Sequence, residues 1–201
     1  MKLSTRMVVV LTSVGLLSGS FLATVGHLTK DRIALNKQRE TEAAIFQVVP
    51  GTVSSQKLYE ERNLSVYGGE DEEGNIVGFA IKASGNGFQD KITLMLGTNT
   101  SLKKINRLAI LDQKETPGLG AKIADSKFFL LYWENRDSSG TITLHRPAVS
   151  SPEELLPTEV NTITGATISS EAVLSIVNTS LEQVREIIKK GKLSSEAQDV
   201  N

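Results

Sequence analysis

The longest uninterrupted hydrophobic stretch lies near the start of the chain. Residues 7–29, MVVVLTSVGLLSGSFLATVGHLT, contain no Asp, Glu, Lys or Arg. As a helix rising about 1.5 Å per residue, they reach across a hydrocarbon core of about 30 Å. A buried core helix would be shorter and would show a polar face. The run therefore reads as a retained single-span anchor. A cleaved signal peptide is the rival reading. Ser18-Gly19-Ser20 and Ala23 supply the small residues it needs, but the apolar run continues through Val25. Lys2 and Arg6 ahead of the span favour a cytoplasmic N-terminus, although Lys30, Arg32, Lys37 and Arg39 follow it. His27, at the end of the span, suits the interface.

The pattern then changes to that of a folded domain. Residues 30–50 are expected to form a charged helix. Ala43, Ala44, Ile45, Phe46, Val48 and Val49 dock its last turns, and Pro50-Gly51 stops it. Residues 51–75 are polar and turn-rich, with a strand at 64–67 and a hairpin turn through the acidic group Glu70–Glu73 and Gly74-Asn75. Ile76–Ile81 is a β-rich run, 84–88 a flexible loop, and Lys91–Gly97 a second strand of the same kind. Leu102–Leu111 makes a third, antiparallel to the second across the turn at 98–101. Its alternation is imperfect, so a bulge or a short turn is expected to interrupt it. Residues 123–133 read as a helix bearing an aromatic cluster, and Thr141–Leu144 as a short strand. Pro147, Pro152 and Pro157 space an irregular segment, in which His145 has no evident partner. A final helix at 169–190 carries the stripe Val173, Val177, Leu181, Val184 and Ile188, with Ile176 and Ile187 beside it. Ser169 or Ser170 is its expected cap and Gly191 its end. The implied organisation is 1–29 N-terminus and anchor, 30–50 juxtamembrane helix, 51–191 one α+β domain, and 192–201 a flexible tail.

Composition narrows the chemistry. The 201 residues carry a formal net charge of -1 without a long basic run, which argues against nucleic acid as a partner. The absence of cysteine excludes disulfides, thiolate metal sites and cysteine nucleophiles. Two histidines far apart make histidine metal clusters and catalytic triads poor readings. No metal site and no catalytic residue is assigned, and hard chemistry is expected from a bound cofactor.

Two stretches concentrate small residues and hydroxyls. In Thr162-Ile163-Thr164-Gly165-Ala166-Thr167-Ile168-Ser169-Ser170, Gly165 permits a positive φ or a close approach to a ligand, and a helix begins just beyond. Helix starts offer free N–H groups and a positive dipole end, a seat for phosphate. A plain helix start is the simpler alternative. The other stretch is Glu115-Thr116-Pro117-Gly118-Leu119-Gly120, followed by Lys122. Pro117-Gly118 is a turn signal, and a second glycine leaves a low-profile loop that can lie along a planar ligand. It lacks the spacing of a P-loop. A hydrolase using Ser169 or Thr167 lacks a placed histidine and a nucleophile elbow. An anchored non-redox module that binds a ligand or scaffolds an assembly stays open.

These two motifs, in this order behind a single span, resemble the G subunit of the Rnf ion-translocating ferredoxin:NAD oxidoreductase complex. More broadly they resemble the FMN-binding domain shared with the C subunit of the Na⁺-translocating NADH:quinone reductase. The resemblance implies an α+β fold in which an N-terminal transmembrane helix precedes a single FMN-binding domain, an antiparallel sheet packed by helices. It implies FMN held covalently by a phosphoester to Thr167, the last residue of Thr164-Gly165-Ala166-Thr167. The loop Glu115, Thr116, Pro117, Gly118, Leu119, Gly120, with Lys122, is then expected to line the flavin pocket. The implied partners are the other subunits of a membrane electron transport complex, the lipid bilayer, and an FAD-dependent flavin transferase. The domain is expected outside the cytoplasmic membrane, relaying electrons rather than acting as a stand-alone enzyme. The chain departs from the family at Asn161, where members often carry Asp. Asn keeps a hydrogen bond or a turn but loses the charge.

Overall fold

The structure, a computed structural model, describes residues 3–193. Lys2 and most of the expected tail at 192–201 lie outside the described residues. The chain divides into two units, one up to Thr41 and one from Glu42.

The described residues of the first unit are helical. Helix α1 runs Leu3–Val48 without a break, so the apolar span and the charged segment expected as separate helices form one. Nothing between residues 29 and 42 breaks a helix, because no Pro or Gly falls there. Among the described residues it is one helix long and apolar enough to cross a membrane. Three hydroxyls of the apolar span are satisfied within the helix. The hydroxyls of Ser13, Thr24 and Thr29 each donate to the carbonyl four residues back at 2.8 Å. A helix surrounded by lipid requires this, since no water is present to accept.

In the second unit, five strands form an antiparallel meander in sequence order: β1 Ser54–Glu61, β2 Leu64–Glu70, β3 Ile76–Asn86, β4 Lys91–Asn99 and β5 Ile105–Asp112. Alternation along β4 sends Ile92, Leu94 and Leu96 to one face and Met95 to the other. The first face packs on helix α2, Thr167–Lys189. The second takes the last turn of α1, where Ala44, Ile45, Val48 and Val49 are buried with Ala80, Met95 and Ala109. That docking follows the expected pattern, except that Phe46 points outward.

Several local expectations are corrected. β1 occupies the polar region 51–75, where the pattern predicts no strand before residue 64. It is an edge strand whose side chains are mostly exposed, so it lacks a hydrophobic signature and depends on pairing with β2. β3 continues through the expected loop to Asn86 because every residue from Gly78 to Asn86 pairs with β4. Leu102 leaves the third strand and sits in a turn at φ 55. The expected helix at 123–133 is absent and two short 3₁₀ turns, Gly120–Ala124 and Leu130–Trp133, take its place. Asp125 causes the break, since its carboxylate accepts from the amides of Lys127 and Phe128 at 2.8 and 3.1 Å, in competition with helical bonding. Phe129 and Trp133 still enter the core, edge to face at 5.8 Å.

The irregular proline segment is held by Arg136, itself buried. Its guanidinium donates to the carbonyls of Tyr132, Pro152 and Leu156 at 2.9, 2.9 and 3.3 Å. The segment also contributes β7, Glu159–Asn161, which pairs in parallel with β6, Thr143–His145. His145 does have a partner, Glu159 Oε2 at 3.2 Å from Nδ1. On α2 the buried stripe is Val173, Ile176, Val177, Leu181, Val184 and Ile187, whereas Ile188 is 40% exposed. The helix starts two residues earlier than expected.

Candidate functional site

The two motif stretches fold into matching turns. Leu119 N–H donates to Thr116 O at 3.1 Å, with Pro117 and Gly118 as the central pair and Gly118 at φ 77. Ala166 N–H donates to Ile163 O at 2.9 Å, with Thr164 and Gly165 central and Gly165 at φ 81. Both fit a type II turn, whose third position favours glycine because φ is positive there. The turns meet: a Cβ on Gly165 would lie 3.5 Å from Leu119 Cδ2.

Between them opens a cleft of about 320 Å³. Glu115, Thr116, Leu119 and Gly120 line it from one side, and Gly165, Ala166, Thr167, Ile168 and Ser169 from the other, with Phe88 completing the wall. Of the residues singled out from sequence, Thr164, Pro117, Gly118 and Lys122 stand outside this lining. Thr164, Pro117 and Gly118 are exposed in the turns, and Lys122 is half-buried in the 3₁₀ turn. Phe88, Ile168 and Ser169 are lining residues that sequence reasoning does not assign to a pocket. Phe88 sits in the β3–β4 turn, distant in sequence from both motifs. Its signal is an aromatic residue directly after a glycine-rich stretch, Gly85-Asn86-Gly87, with no core to enter; it is 64% exposed.

The start of α2 is built differently from the expected capped helix. Ala166 is the N-cap residue and no side chain caps it. Ser169 instead donates to Glu115 Oε2 at 2.6 Å. Ser170 donates to Ala166 O at 3.0 Å while its oxygen accepts from Ile163 N–H at 3.2 Å. The first helical N–H groups therefore have no side-chain acceptor, and the dipole end faces the cleft region. Among the described residues, the Thr167 hydroxyl has no hydrogen-bond partner, and the residue is only half-buried. A free hydroxyl beside uncapped amides and low-profile glycines suits a phosphorylated ligand. The volume falls at the low end for ligand clefts.

Asn161, the departure noted from sequence, is buried behind the site. Its Oδ1 accepts from Val149 N–H at 3.0 Å and its Nδ2 donates to Val149 O at 2.9 Å. An amide matches both partners, whereas a carboxylate would have no proton for the carbonyl.

Comparison with known proteins finds a family match and several relatives. Residues 87–182 match the family model of the FMN-binding domain. The chain is similar to the G subunit of the ion-translocating oxidoreductase complex of Methanosarcina acetivorans, 24% identical over 187 residues that cover 90% of this chain and 94% of that protein. It is also similar to the G subunit of the Na⁺-translocating ferredoxin:NAD⁺ oxidoreductase complex of Acetobacterium woodii, 28% identical over 155 residues, 74% of this chain and 71% of that one. Among solved structures, the C subunit of the Na⁺-translocating NADH-quinone reductase from Parabacteroides distasonis superposes with a TM-score of 0.56 at 16% identity, covering 82% of this chain and 98% of the other. The resemblance to the G subunits drawn from the two motifs is thus borne out, as is the α+β fold: an N-terminal apolar helix, then an antiparallel sheet packed by helices, with residues 87–182 matching the FMN-binding domain model.

Proposed function

We propose that this chain is the membrane-anchored flavoprotein subunit of an Rnf-type ion-translocating electron transport complex, with FMN attached by a phosphoester to Thr167. One observation carries the reading. Two turns far apart in sequence close on one cleft, and the unpartnered Thr167 hydroxyl lies on its wall beside an uncapped helix start.

The residues fit the group. A threonine hydroxyl is a weak nucleophile, so attachment falls to a separate FAD-dependent transferase. Thr167 Oγ1 bonds to the flavin-side phosphorus of FAD, the diphosphate P–O bond breaks, AMP leaves with the electron pair, and the threonine proton passes to a base of the transferase or to water. The amides at the start of α2 would hold the phosphate oxygens, and Thr116, Leu119, Gly120 and Phe88 would flank the ring system. FMN, when bound, supplies one- and two-electron chemistry. The chain contributes position, shielding and a fixed tether, with no catalytic base required. The free side of the cleft then faces the partner subunits. On this reading the domain lies on the periplasmic, extracytoplasmic side of the inner membrane, where the transferase acts.

The test is the intact mass of the chain co-expressed with the transferase. FMN adds a defined mass to a peptide containing Thr167, and the band fluoresces on a denaturing gel. Thr167→Ala abolishes both while leaving the unfolding midpoint within a few degrees. A colourless wild-type product, or flavin that survives Thr167→Ala, refutes the proposal and leaves the scaffold reading in its place.

A further inference from the structure

The cleft is closed at its base by one carboxylate with two commitments. Glu115 is 4% exposed. Its Oε1 accepts from Gln89 N–H at 3.0 Å, and its Oε2 accepts from Ser169 Oγ at 2.6 Å. The first contact fixes the β3–β4 turn that carries Phe88. The second fixes α2 two residues beyond Thr167. Glycines surround the carboxylate on both sides: a Cβ on Gly87 would lie 2.4 Å from Oε1, and one on Gly120 would lie 2.7 Å from Oε2. The three segments thus approach each other only because these positions carry no side chain, and Glu115 fills the space between them.

The same contacts sort the hydroxyls of the cleft. Thr116 donates to Gln89 Oε1 at 3.2 Å and Ser169 to Glu115, which leaves the hydroxyl of Thr167 as the cleft hydroxyl without a partner among the described residues. Ser169 is also buried, and its hydroxyl proton is committed to Glu115.

We propose that Glu115 is a positioning residue for flavin attachment: by bridging the Gln89 amide and the Ser169 hydroxyl, it sets the spacing of the two cleft walls and presents Thr167 as the acceptor. The inference rests on the reading that FMN is attached at Thr167. It assigns the role to the two-armed span of the side chain and not to its charge. Gln has the same span, since its Oε1 serves the Gln89 amide and its Nε2 donates to Ser169 Oγ. Asp is one methylene too short to serve both arms.

The experiment compares wild type, E115Q, E115D, E115A and S169A, each as the full chain in detergent. Two quantities are read: the initial rate of FMN incorporation from FAD by the transferase, followed by mass, and amide hydrogen exchange of the unmodified chain. Rates are measured well below each variant's unfolding midpoint. E115Q is expected within about threefold of wild type, while E115D and E115A are slowed tenfold or more. Exchange accelerates in 87–90 and 167–170 for E115D and E115A. S169A accelerates exchange in 167–170 alone. If E115D keeps the wild-type rate while E115Q falls with E115A, the charge is what matters and the proposal is overturned. It is equally overturned if all variants match wild type. If wild type itself takes up no FMN, the reading of Thr167 fails instead; the exchange pattern still decides whether Glu115 bridges the two walls.

Discussion

Gly97 offers the sharpest test of how the domain receives the last turn of α1. It sits in β4 opposite Ala80 and Arg107, on the face that carries Met95, Ala80 and Ala109. Small residues make a trough there, and the helix end lies in it. A Cβ on Gly97 would stand 1.9 Å from Val48 O, 2.5 Å from Val48 C and 2.8 Å from Val48 Cβ. Gly97→Ala fits the strand backbone, so its cost is steric. The obstructing atoms are backbone, so no rotamer change relieves them, and the helix end must retreat by about an ångström. Overpacking of this kind costs about 1–3 kcal/mol, and the rigid obstacle places it at the upper end, ~3 kcal/mol. Releasing the turn altogether would expose Ile45, Val48 and Val49, at roughly 1.5–3 kcal/mol each, so retreat is the cheaper response. The assay is urea unfolding followed by fluorescence of Trp133, the single tryptophan, which is fully buried in the domain core. Hydrogen exchange of residues 44–49 reports the docking itself. Gly140→Ala is the control, because a Cβ there meets nothing within 4 Å; it should stay within about 0.5 kcal/mol of wild type. A Gly97→Ala protein as stable as that control, with residues 44–49 still protected, refutes the reasoning.

Three further outcomes follow from the same structure. Arg136→Met leaves the carbonyls of Tyr132, Pro152 and Leu156 without their donor, and a loss of about 2–4 kcal/mol is expected by urea titration, with Arg136→Lys intermediate. Asn161→Asp removes the donor to Val149 O; it should cost about 1–3 kcal/mol and accelerate exchange at Val149. The pH dependence comes from carboxylates whose pKa values folding lowers. Asp71 is held down chiefly by the Asn75 amide, Asp90 by the Lys114 ammonium, Asp137 by the Ser139 amide and Glu159 by the Leu156 amide. A lowered folded-state pKa gives stability that is present above the unfolded value and lost as pH falls through the folded one. The urea midpoint should therefore fall as pH drops below about 4, with neutral pH as the plateau, and Asp90→Asn should flatten that fall. A midpoint that rises on acidification contradicts these assignments.

Much of this is legible in the chain itself. The apolar span, the alternation of β4, the stripe of α2 and the two glycine turns are local or periodic features, and local sterics suffice to set them. Pro117-Gly118 and Thr164-Gly165 dictate their turn type because φ must be positive at the glycine. The misreadings have non-local causes. β1 is polar and exists only because β2 pairs with it, and Asp125 breaks an apolar run that would otherwise read as a helix. His145 gains a partner from β7. At the site, residue types and their order are enough to say which positions can turn and which carry a hydroxyl. Folding settles the rest: Phe88 joins them, Ser169 is bound to Glu115 and not to the helix end, and the Thr167 hydroxyl is left without a partner among the described residues. Those outcomes depend on contacts between residues as far apart as 115 and 169. Such a pairing becomes defined only when the sheet, through β3 and β4, sets the distance between the loop on one side and the start of α2 on the other.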